Sequence, residues 1–339
     1  MHVDPSQPST RRARFVSTGT LPRTEVVLSL LEEAHELYRS VDDGSVADYI
    51  PALLEVPADL FALAVVGVNG SVSSAGDVGV EFSIQTISKP FVFALVCEAI
   101  GYERARELIG VNSTGLAFDS VMAVELNPER TANPMVNGGA IATTSLVPGE
   151  TAEQKWEFVR AGLSRFAGRE LQLDSEVYDS EALGNQRNQG IARLLQSYDR
   201  MYFDSLQATD IYTKQCSLLV TTIDLAVMGA TLADGGVNPI SGERVVDPEV
   251  CRRVLAVLAT AGLYERSGDW LYDVGLPAKS GVSGGIVTIA PGKGGLATFS
   301  PRLDAAGNSV RGQLAASFLS ETLGLNLFAS AVNESVPDE

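Results

Sequence analysis

The first eighty residues follow two patterns of apolar and polar positions. Residues 25 to 40 place apolar side chains at helical spacing, which predicts an amphipathic helix capped by Thr24. The apolar segment LFALAVVGV is followed by Asn69-Gly70 and then by SVSSAGD. Because Asn-Gly is the strongest short turn signal, this stretch predicts a β-hairpin.

The middle of the chain differs in pattern from its last third. Residues 152 to 235 have mostly helical patterns, whereas VGLPAKSGVSGGIVTIAP and GGLATFSPRLD have the apolar runs of strands, joined by a glycine-rich turn at 292–295. Strands near both ends with helices between them predict an α+β fold. We expect one antiparallel sheet built from both chain ends and flanked by helices, with an inserted helical subdomain.

A single domain is predicted over residues 21–332. We expect its sheet part at about 21–80 and 265–332, and its helical part at about 85–260. Residues 1–20 contain three arginines and many hydroxyl side chains but no apolar segment typical of a signal peptide. They are therefore predicted to be a disordered tail, and the protein is predicted to be a cytoplasmic enzyme.

Charge and hydropathy argue against two kinds of partner. The 42 acidic residues outnumber the 25 basic ones, and the resulting net charge of −17 would repel nucleic acid. No uninterrupted apolar run is long enough for a membrane span. We therefore expect no nucleic acid and no membrane as a partner.

The scarcity of histidine restricts the possible catalytic chemistry. His2 and His35 are the only histidines in the chain, which argues against a Ser-His-Asp triad and against a histidine-ligated metal. Cys97, Cys216 and Cys251 lie far apart in apolar surroundings and are predicted to be reduced core residues. We expect no metal and no cofactor, and lysine is the obvious candidate for a catalytic base.

One lysine has a hydroxyl residue three positions before it. In FSIQTISKPF, Thr86 precedes Lys89 at the predicted start of an apolar helix. Side chains at positions i and i+3 of a helix share a face, and a buried lysine can be neutral and accept a hydroxyl proton. The same pattern is also compatible with an ordinary helix cap beside a solvated lysine.

A second short motif supports an acyl-transfer site. Lys279-Ser280-Gly281 begins an apparent apolar strand, GIVTIAP. A Lys-Ser/Thr-Gly triplet on an edge strand beside a Ser-x-x-Lys site is the arrangement of β-lactamases and penicillin-binding enzymes. Taken alone, the glycines of this segment are equally compatible with a flexible turn.

Six sequence blocks together carry a resemblance to a known family. GSVADYIPAL, SIQTISKPF, NPMVNGGAI, the segment from Glu181 to Asn188, GLYERSG and VGLPAKSGVSGG follow one another in this order. The chain thereby resembles the serine-dependent glutaminases over roughly residues 25 to 330. The resemblance implies a β-lactamase-like fold, hydrolysis of L-glutamine to L-glutamate and ammonia, and a homo-oligomer (a dimer or a tetramer).

The resemblance also implies roles for individual residues. Thr86 stands at the position of the nucleophilic serine, and Lys89 stands at that of the family's lysine. Tyr49 and Tyr264 match catalytic tyrosines, the second of which would carry a proton to the leaving ammonia. The implied substrate contacts are Thr86, Asn137, Glu181, Asn188, Tyr212, Tyr264 and Val282. The N–H groups of residues 86 and 282 would form the oxyanion hole.

Threonine at the nucleophile position is the main departure from the family pattern. Threonine keeps the hydroxyl but adds a methyl group and restricts χ1. Two interpretations remain open. The protein is either a glutaminase, working normally or slowed by this methyl group, or a non-catalytic homologue that binds glutamine or glutamate. Retention of the lysine and tyrosines favours the first. A β-lactamase or D-Ala-D-Ala peptidase shares the short motifs, and the apparent lack of an export signal disfavours it.

Overall fold

The computed structural model describes residues 20–48 and 50–330. The predicted N-terminal tail lies outside this part of the chain except for Thr20, and the candidate catalytic residue Tyr49 also lies outside it. None of the helices in these two ranges combines the length and the apolar composition needed to cross a lipid bilayer.

Helices make up about half of the described chain. They are α1 Thr24–Tyr38, α2 Pro51–Leu54, α3 Ser88–Ile100, α4 Tyr102–Ile109, α5 Met122–Glu125, α6 Asn137–Ser145, α7 Ala152–Ala167, α8 Ser175–Leu183, α9 Gln186–Ser197, α10 Ser205–Cys216, α11 Thr222–Ala233, α12 Pro248–Ala261, α13 Ser267–Asp273 and α14 Val310–Thr322. Two short 3-10 helices, Gln85–Ile87 and Tyr264–Arg266, run directly into α3 and α13.

The strands form one large and one small sheet. They are β1 Ala62–Gly67, β2 Val72–Gly76, β3 Phe82–Ser83, β4 Leu219–Val220, β5 Ala278–Ser280, β6 Gly285–Ala290 and β7 Gly294–Phe299. The five-stranded sheet has the order β2-β1-β7-β6-β5, and every neighbouring pair is antiparallel. Strand β5 therefore stands at one edge, and β3 pairs separately with β4.

Both faces of the large sheet are covered, because successive side chains of a strand point to opposite faces. Val287 and Phe299 belong to the larger core, which includes side chains of α3, α7 and α11. Leu63 and Ile286 belong to a second core with α1, α13 and α14. Helices thus flank an antiparallel sheet on both sides, which confirms the predicted α+β fold.

Two local predictions have opposite outcomes. The predicted hairpin is confirmed, since β1 pairs with β2 and the turn holds Gly70 at φ +81°. The predicted cap at Thr24 is wrong: Thr24 is the first residue of α1, and Arg23 is the N-cap residue without a side-chain cap bond. The Arg23 carbonyl accepts the N–H groups of Val26 and Val27, so backbone hydrogen bonds start the helix one residue earlier.

Helix α11 lies very close to strand β7, and glycines make this approach possible. A Cβ atom on Gly295 would lie 2.2 Å from the carbonyl oxygen of Ala226 and 2.5 Å from the amide nitrogen of Ala230. A Cβ atom on Gly229 would lie 2.9 Å from Val287 Cγ2. Any side chain at position 295 would therefore push the helix away from the sheet.

We predict that Gly295→Ala lowers the free energy of unfolding by about 1–3 kcal/mol, because the added methyl group meets backbone atoms that cannot move separately. Gly79→Ala is the control, since a Cβ atom there meets nothing within 4 Å. Denaturant unfolding of both variants would measure the difference. Equal losses in the two variants would contradict the close contact between α11 and β7.

Candidate active site

Thr86 lies in a strained turn between a strand and a helix. Strand β3 ends at Ser83, the 3-10 helix begins at Gln85, and α3 follows without a break. Gln85 has φ +51°, a left-handed value that is uncommon for residues other than glycine. The N–H of Thr86 donates no hydrogen bond within the described residues, so it is free to bind an oxyanion.

The Thr86 hydroxyl is buried and has two partners. Its Oγ1 donates to the carbonyl oxygen of Ser280 at 2.8 Å and lies 2.8 Å from the hydroxyl oxygen of Tyr264. Tyr264 is also in the left-handed region, with φ +58°, at the first residue of its 3-10 helix. Burial raises the pKa of Tyr264 to about 12, so its hydroxyl group keeps its proton at neutral pH.

Lys89 lies one helical turn after Thr86 and is 1% exposed. Its Nζ donates to the carbonyl oxygen of Met135 at 3.1 Å and to Asn137 Oδ1 at 2.8 Å. Burial lowers the pKa of Lys89 to about 7, although the negative charge of Glu181 acts to raise it. A neutral amine has two N–H groups, and these two acceptors use both of them. Its lone pair then remains free to accept a proton.

Three of the predicted contact residues form one hydrogen-bonded group with Lys89. Asn137, the first residue of α6, accepts from Lys89 and from the Tyr212 hydroxyl, the latter at 3.2 Å. Its Nδ2 donates to Asn188 Oδ1 on α9 at 2.9 Å. Burial raises the pKa of Tyr212 well above its usual value, so the phenol is a neutral donor. The structure therefore brings Asn137, Asn188 and Tyr212 together beside Lys89.

Glu181, near the end of α8, has an unusual carboxylate. Its Oε2 is buried and has no hydrogen-bond partner among the described residues. Burial raises the pKa of Glu181 to about 7, while a hydrogen bond from Gln85 and the charge of Lys89 act to lower it. A buried carboxylate oxygen without a partner costs free energy, and a bound cation would remove that cost.

The last predicted contact residue, Val282, follows the end of strand β5, whose Ser280 contacts Thr86. The Ser280 carbonyl contacts Thr86, and the N–H of Val282, two residues later, donates no hydrogen bond within the described residues. Val282 is itself buried. The N–H groups of Thr86 and Val282, which were predicted to form an oxyanion hole, therefore both lack an acceptor within the described residues.

Two further residues belong to the site although no role was predicted for their side chains. Lys279 Nζ donates to the Ser280 carbonyl at 2.8 Å and lies 4.1 Å from the centre of the Tyr264 ring. Burial lowers the pKa of Lys279 well below its ordinary value. The Lys-Ser-Gly motif was the available signal for Lys279. Gln85 offered no signal beyond its position before Thr86.

The site is enclosed, and it contains no metal-binding group. Thr86 and Tyr264 are each 5% exposed. A cavity of about 290 Å³ lies against the site and is lined in part by Ser83, Val282 and Ser283. Among residues 20–48 and 50–330, no three His, Cys, Asp or Glu side chains stand close enough to hold a metal ion.

Comparison with known proteins shows the family to which this chain belongs. The family model described as Glutaminase matches residues 44–328. Glutaminase 2 of Yersinia pestis is 61% identical over 316 residues, which cover 93% of each chain. The solved structure of "Probable glutaminase ybaS" has a TM-score of 0.90 and 44% identity, and the match covers 91% of this chain and 100% of the other.

A further solved structure contains a bound ligand. It is described as "Probable glutaminase from Bacillus subtilis complexed with 6-diazo-5-oxo-L-norleucine". The match has a TM-score of 0.82 and 31% identity, and it covers 89% of this chain and 97% of the other. The fold and its structural relatives define the β-lactamase-like class. Within that class the chain belongs to the glutaminase family, and it is an amidohydrolase.

The depressed pKa of Lys89 predicts a pH-dependent stability. The folded protein loses this proton near pH 7, whereas the unfolded chain keeps it up to about 10.5. Between these pH values the unfolded chain binds more protons than the folded protein. Lys89 therefore makes the free energy of unfolding increase by about 1.4 kcal/mol per pH unit. Lys89→Met should therefore show a smaller rise in the free energy of unfolding between pH 7.5 and 9.5.

Lys214→Met is the control for this comparison, because Lys214 is only partly buried and pairs with Asp210 at 2.9 Å. Urea unfolding at several pH values would give the slopes. Parallel curves for wild type and Lys89→Met would contradict a buried neutral amine at position 89.

Proposed function

We propose that this protein hydrolyses L-glutamine to L-glutamate and ammonia through a covalent acyl-enzyme on Thr86, with Lys89 as base. The observation that carries the proposal is the pairing of a buried hydroxyl group with a lysine of pKa about 7 one helical turn away. The relatives described as glutaminases support the substrate, and the complex with a glutamine-like diazoketone supports a site for its amino-acid part.

Substrate binding uses complementary charges. We assign the α-ammonium group of glutamine to Glu181, whose unpartnered buried oxygen needs a cation. Neutral donors and acceptors of Asn137, Asn188 and Tyr212 would contact the α-carboxylate and the amide. The proposed role of Tyr49 beside the nucleophile rests on the family resemblance alone.

Acylation begins with the Thr86 proton. In the resting structure the hydroxyl points at the Ser280 carbonyl, which cannot take the proton, so the hydroxyl must rotate toward Lys89. Thr86 Oγ1 then bonds to the amide carbon while Lys89 Nζ accepts the proton. The oxyanion that forms is bound by the N–H groups of Thr86 and Val282.

The intermediate then collapses and the enzyme is regenerated. The carbon–nitrogen bond breaks, and the leaving amide nitrogen takes the transferred proton through the Tyr264 hydroxyl, so that ammonia departs. Water next attacks the ester carbon and gives a proton to Lys89. The ester bond breaks, Thr86 regains its proton, and L-glutamate is released.

The remaining expectations stay proposals about the whole protein. We propose a single catalytic domain over residues 21–332, assembled as a homo-oligomer in the cytoplasm. Size measurement in solution by light scattering would test the assembly.

Three substitutions at position 86 test the nucleophile. Thr86→Val keeps the shape of threonine and removes the hydroxyl, so ammonia release should fall by at least about 10³-fold. Thr86→Ser removes only the methyl group, which in a tight site costs about 1–3 kcal/mol, so its kcat should be about ten- to a hundredfold higher. Activity of Thr86→Val equal to wild type would contradict the proposal.

Two other outcomes of these assays separate the alternative readings. If only Thr86→Ser releases ammonia, the natural chain is a homologue that binds the amino acid without hydrolysing it. If neither wild type nor Thr86→Ser releases ammonia, the glutaminase reaction itself is wrong for this chain.

Glu181→Gln tests the ammonium site and the pH dependence together. Loss of the ionic contact should raise KM for L-glutamine by about 30- to 1000-fold, in line with breaking a buried charge pair. Wild-type kcat/KM should fall below about pH 7 with a slope approaching two on a log scale, since Lys89 must be neutral and Glu181 ionised. The variant should show a slope approaching one, displaced to lower pH because the charge that raises the pKa of Lys89 is gone.

Asp179→Asn, at an exposed position of the same helix, is the matched control and should behave as wild type. A Glu181→Gln profile that coincides with the wild-type profile would show that this carboxylate does not take part in binding.

A further inference from the structure

The carbonyl group of Ser280 is the centre of the acylation site. Thr86 Oγ1 and Lys279 Nζ each donate a hydrogen bond to it at 2.8 Å, and the Tyr264 hydroxyl lies 3.3 Å from it and 2.8 Å from Thr86 Oγ1. The position of this one oxygen therefore decides where the proposed nucleophile rests and how it meets its neighbours. Whatever holds Ser280 in place also holds Thr86.

The sheet supports Ser280 from one side only. Strand β5 is at the edge of the five-stranded sheet and pairs only with β6, with Ser280 opposite Ile286. A side-chain contact adds to this pairing, since Ser280 Oγ donates to Asn308 Oδ1 at 2.6 Å. Both residues are completely buried, so water does not compete for this hydrogen bond.

Asn308 is itself rigidly held in a short loop between β7 and α14. Asp304 Oδ1 accepts the N–H groups of Ala306 and Asn308, and the Asp304 N–H donates to the Asn308 carbonyl at 2.8 Å. Gln313 fixes the other carboxylate oxygen of Asp304 at 3.0 Å. The Asn308 side chain is thus presented to Ser280 by a loop with little freedom to move.

The same loop passes close to two other parts of the site. A Cβ atom built on Gly307 would lie 3.6 Å from Val282 Cγ1 and 4.0 Å from Tyr264 Cε2, which is ordinary van der Waals contact. The loop backbone at Gly307 therefore lies about one methyl group away from the residue that supplies one proposed oxyanion N–H and from the partner of Thr86. One loop contacts Ser280 directly and lies next to the oxyanion segment and the tyrosine.

We propose that Asn308 is a positioning residue for acylation, which acts by holding Ser280 so that the Ser280 carbonyl sets the place of Thr86 Oγ1. Among the described residues, the Asn308 side chain is hydrogen-bonded to Ser280 and to none of the proposed substrate contacts. The inference rests on the proposed function, because its effect appears in the acylation step. It predicts a loss of kcat with little change of KM, since Glu181, Asn137 and Asn188 remain in place.

Three variants test the inference. Ser280→Ala and Asn308→Leu should each lower kcat for L-glutamine about ten- to a hundredfold, because small displacements of reacting groups cost rates of this order. KM should stay within about twofold of wild type, since binding contacts are untouched. The double variant should lose no more than the worse single variant, because both changes break one hydrogen bond.

Ser309→Ala is the matched control. Ser309 is the neighbouring, equally buried residue, and its Oγ donates to the Ser300 carbonyl at 2.8 Å rather than to Ser280. This variant should lose thermal stability by a similar amount while it keeps its kcat. Wild-type kcat in folded Ser280→Ala, or an equal loss of kcat in Ser309→Ala, would overturn the inference.

The assay separates this inference from the proposed function. Absence of ammonia release from wild type would remove the proposed function, and the inference with it. Wild-type activity that survives unchanged in the Ser280 and Asn308 variants would remove the inference alone. If Asn308→Leu does not fold, Ser280→Ala decides the question, since it deletes only one oxygen atom.

Discussion

The removal of the Lys89 amine from water is the constraint on which the rest of the site depends. An ammonium group in this position would need compensating charge, and its hydrogen bonds instead go to a carbonyl oxygen and an amide oxygen. Burial consequently shifts its pKa to about 7. The Asn137 side chain that satisfies this amine also contacts Asn188 and Tyr212, so the proposed base and the proposed amino-acid contacts form one hydrogen-bonded unit.

The fold meets this constraint by joining elements that are distant in sequence. The Thr86 turn leads from the small sheet into α3, while Tyr264 and Ser280 come from the last third of the chain. Gln85 and Tyr264 both hold left-handed backbone conformations next to Thr86. Such conformations cost free energy and persist only where the surroundings enforce them. Close packing of the large sheet with its helices provides that enforcement.

The parts of the structure that depend on local patterns could be predicted from the sequence. The hairpin and the α+β class follow from turn signals and from the distribution of strands. The pairing of β3 with β4 could not be predicted from the sequence, because two-residue strands are too short to produce a recognisable pattern. Helix α1 begins one residue earlier than predicted, because backbone hydrogen bonds replace the expected Thr24 cap.

Most residues of the candidate site were predicted from a family resemblance. Single motifs could not have predicted them. Lys89, Asn137, Asn188 and Tyr212 form one hydrogen-bonded group and Thr86 contacts Tyr264, whereas Tyr49 lies outside the described residues. The contribution of Lys279 and the contact of Ser280 with Asn308 depend on three-dimensional packing between segments, which no spacing rule encodes.

The central claim is that Thr86 forms a covalent bond with the substrate. Exposure of the protein to 6-diazo-5-oxo-L-norleucine, followed by peptide mapping by mass spectrometry, tests this claim directly. We expect an adduct on the peptide that contains Thr86, in wild type and in Thr86→Ser, and no adduct in Thr86→Val. An adduct on another residue, or equal labelling of Thr86→Val, would contradict the account.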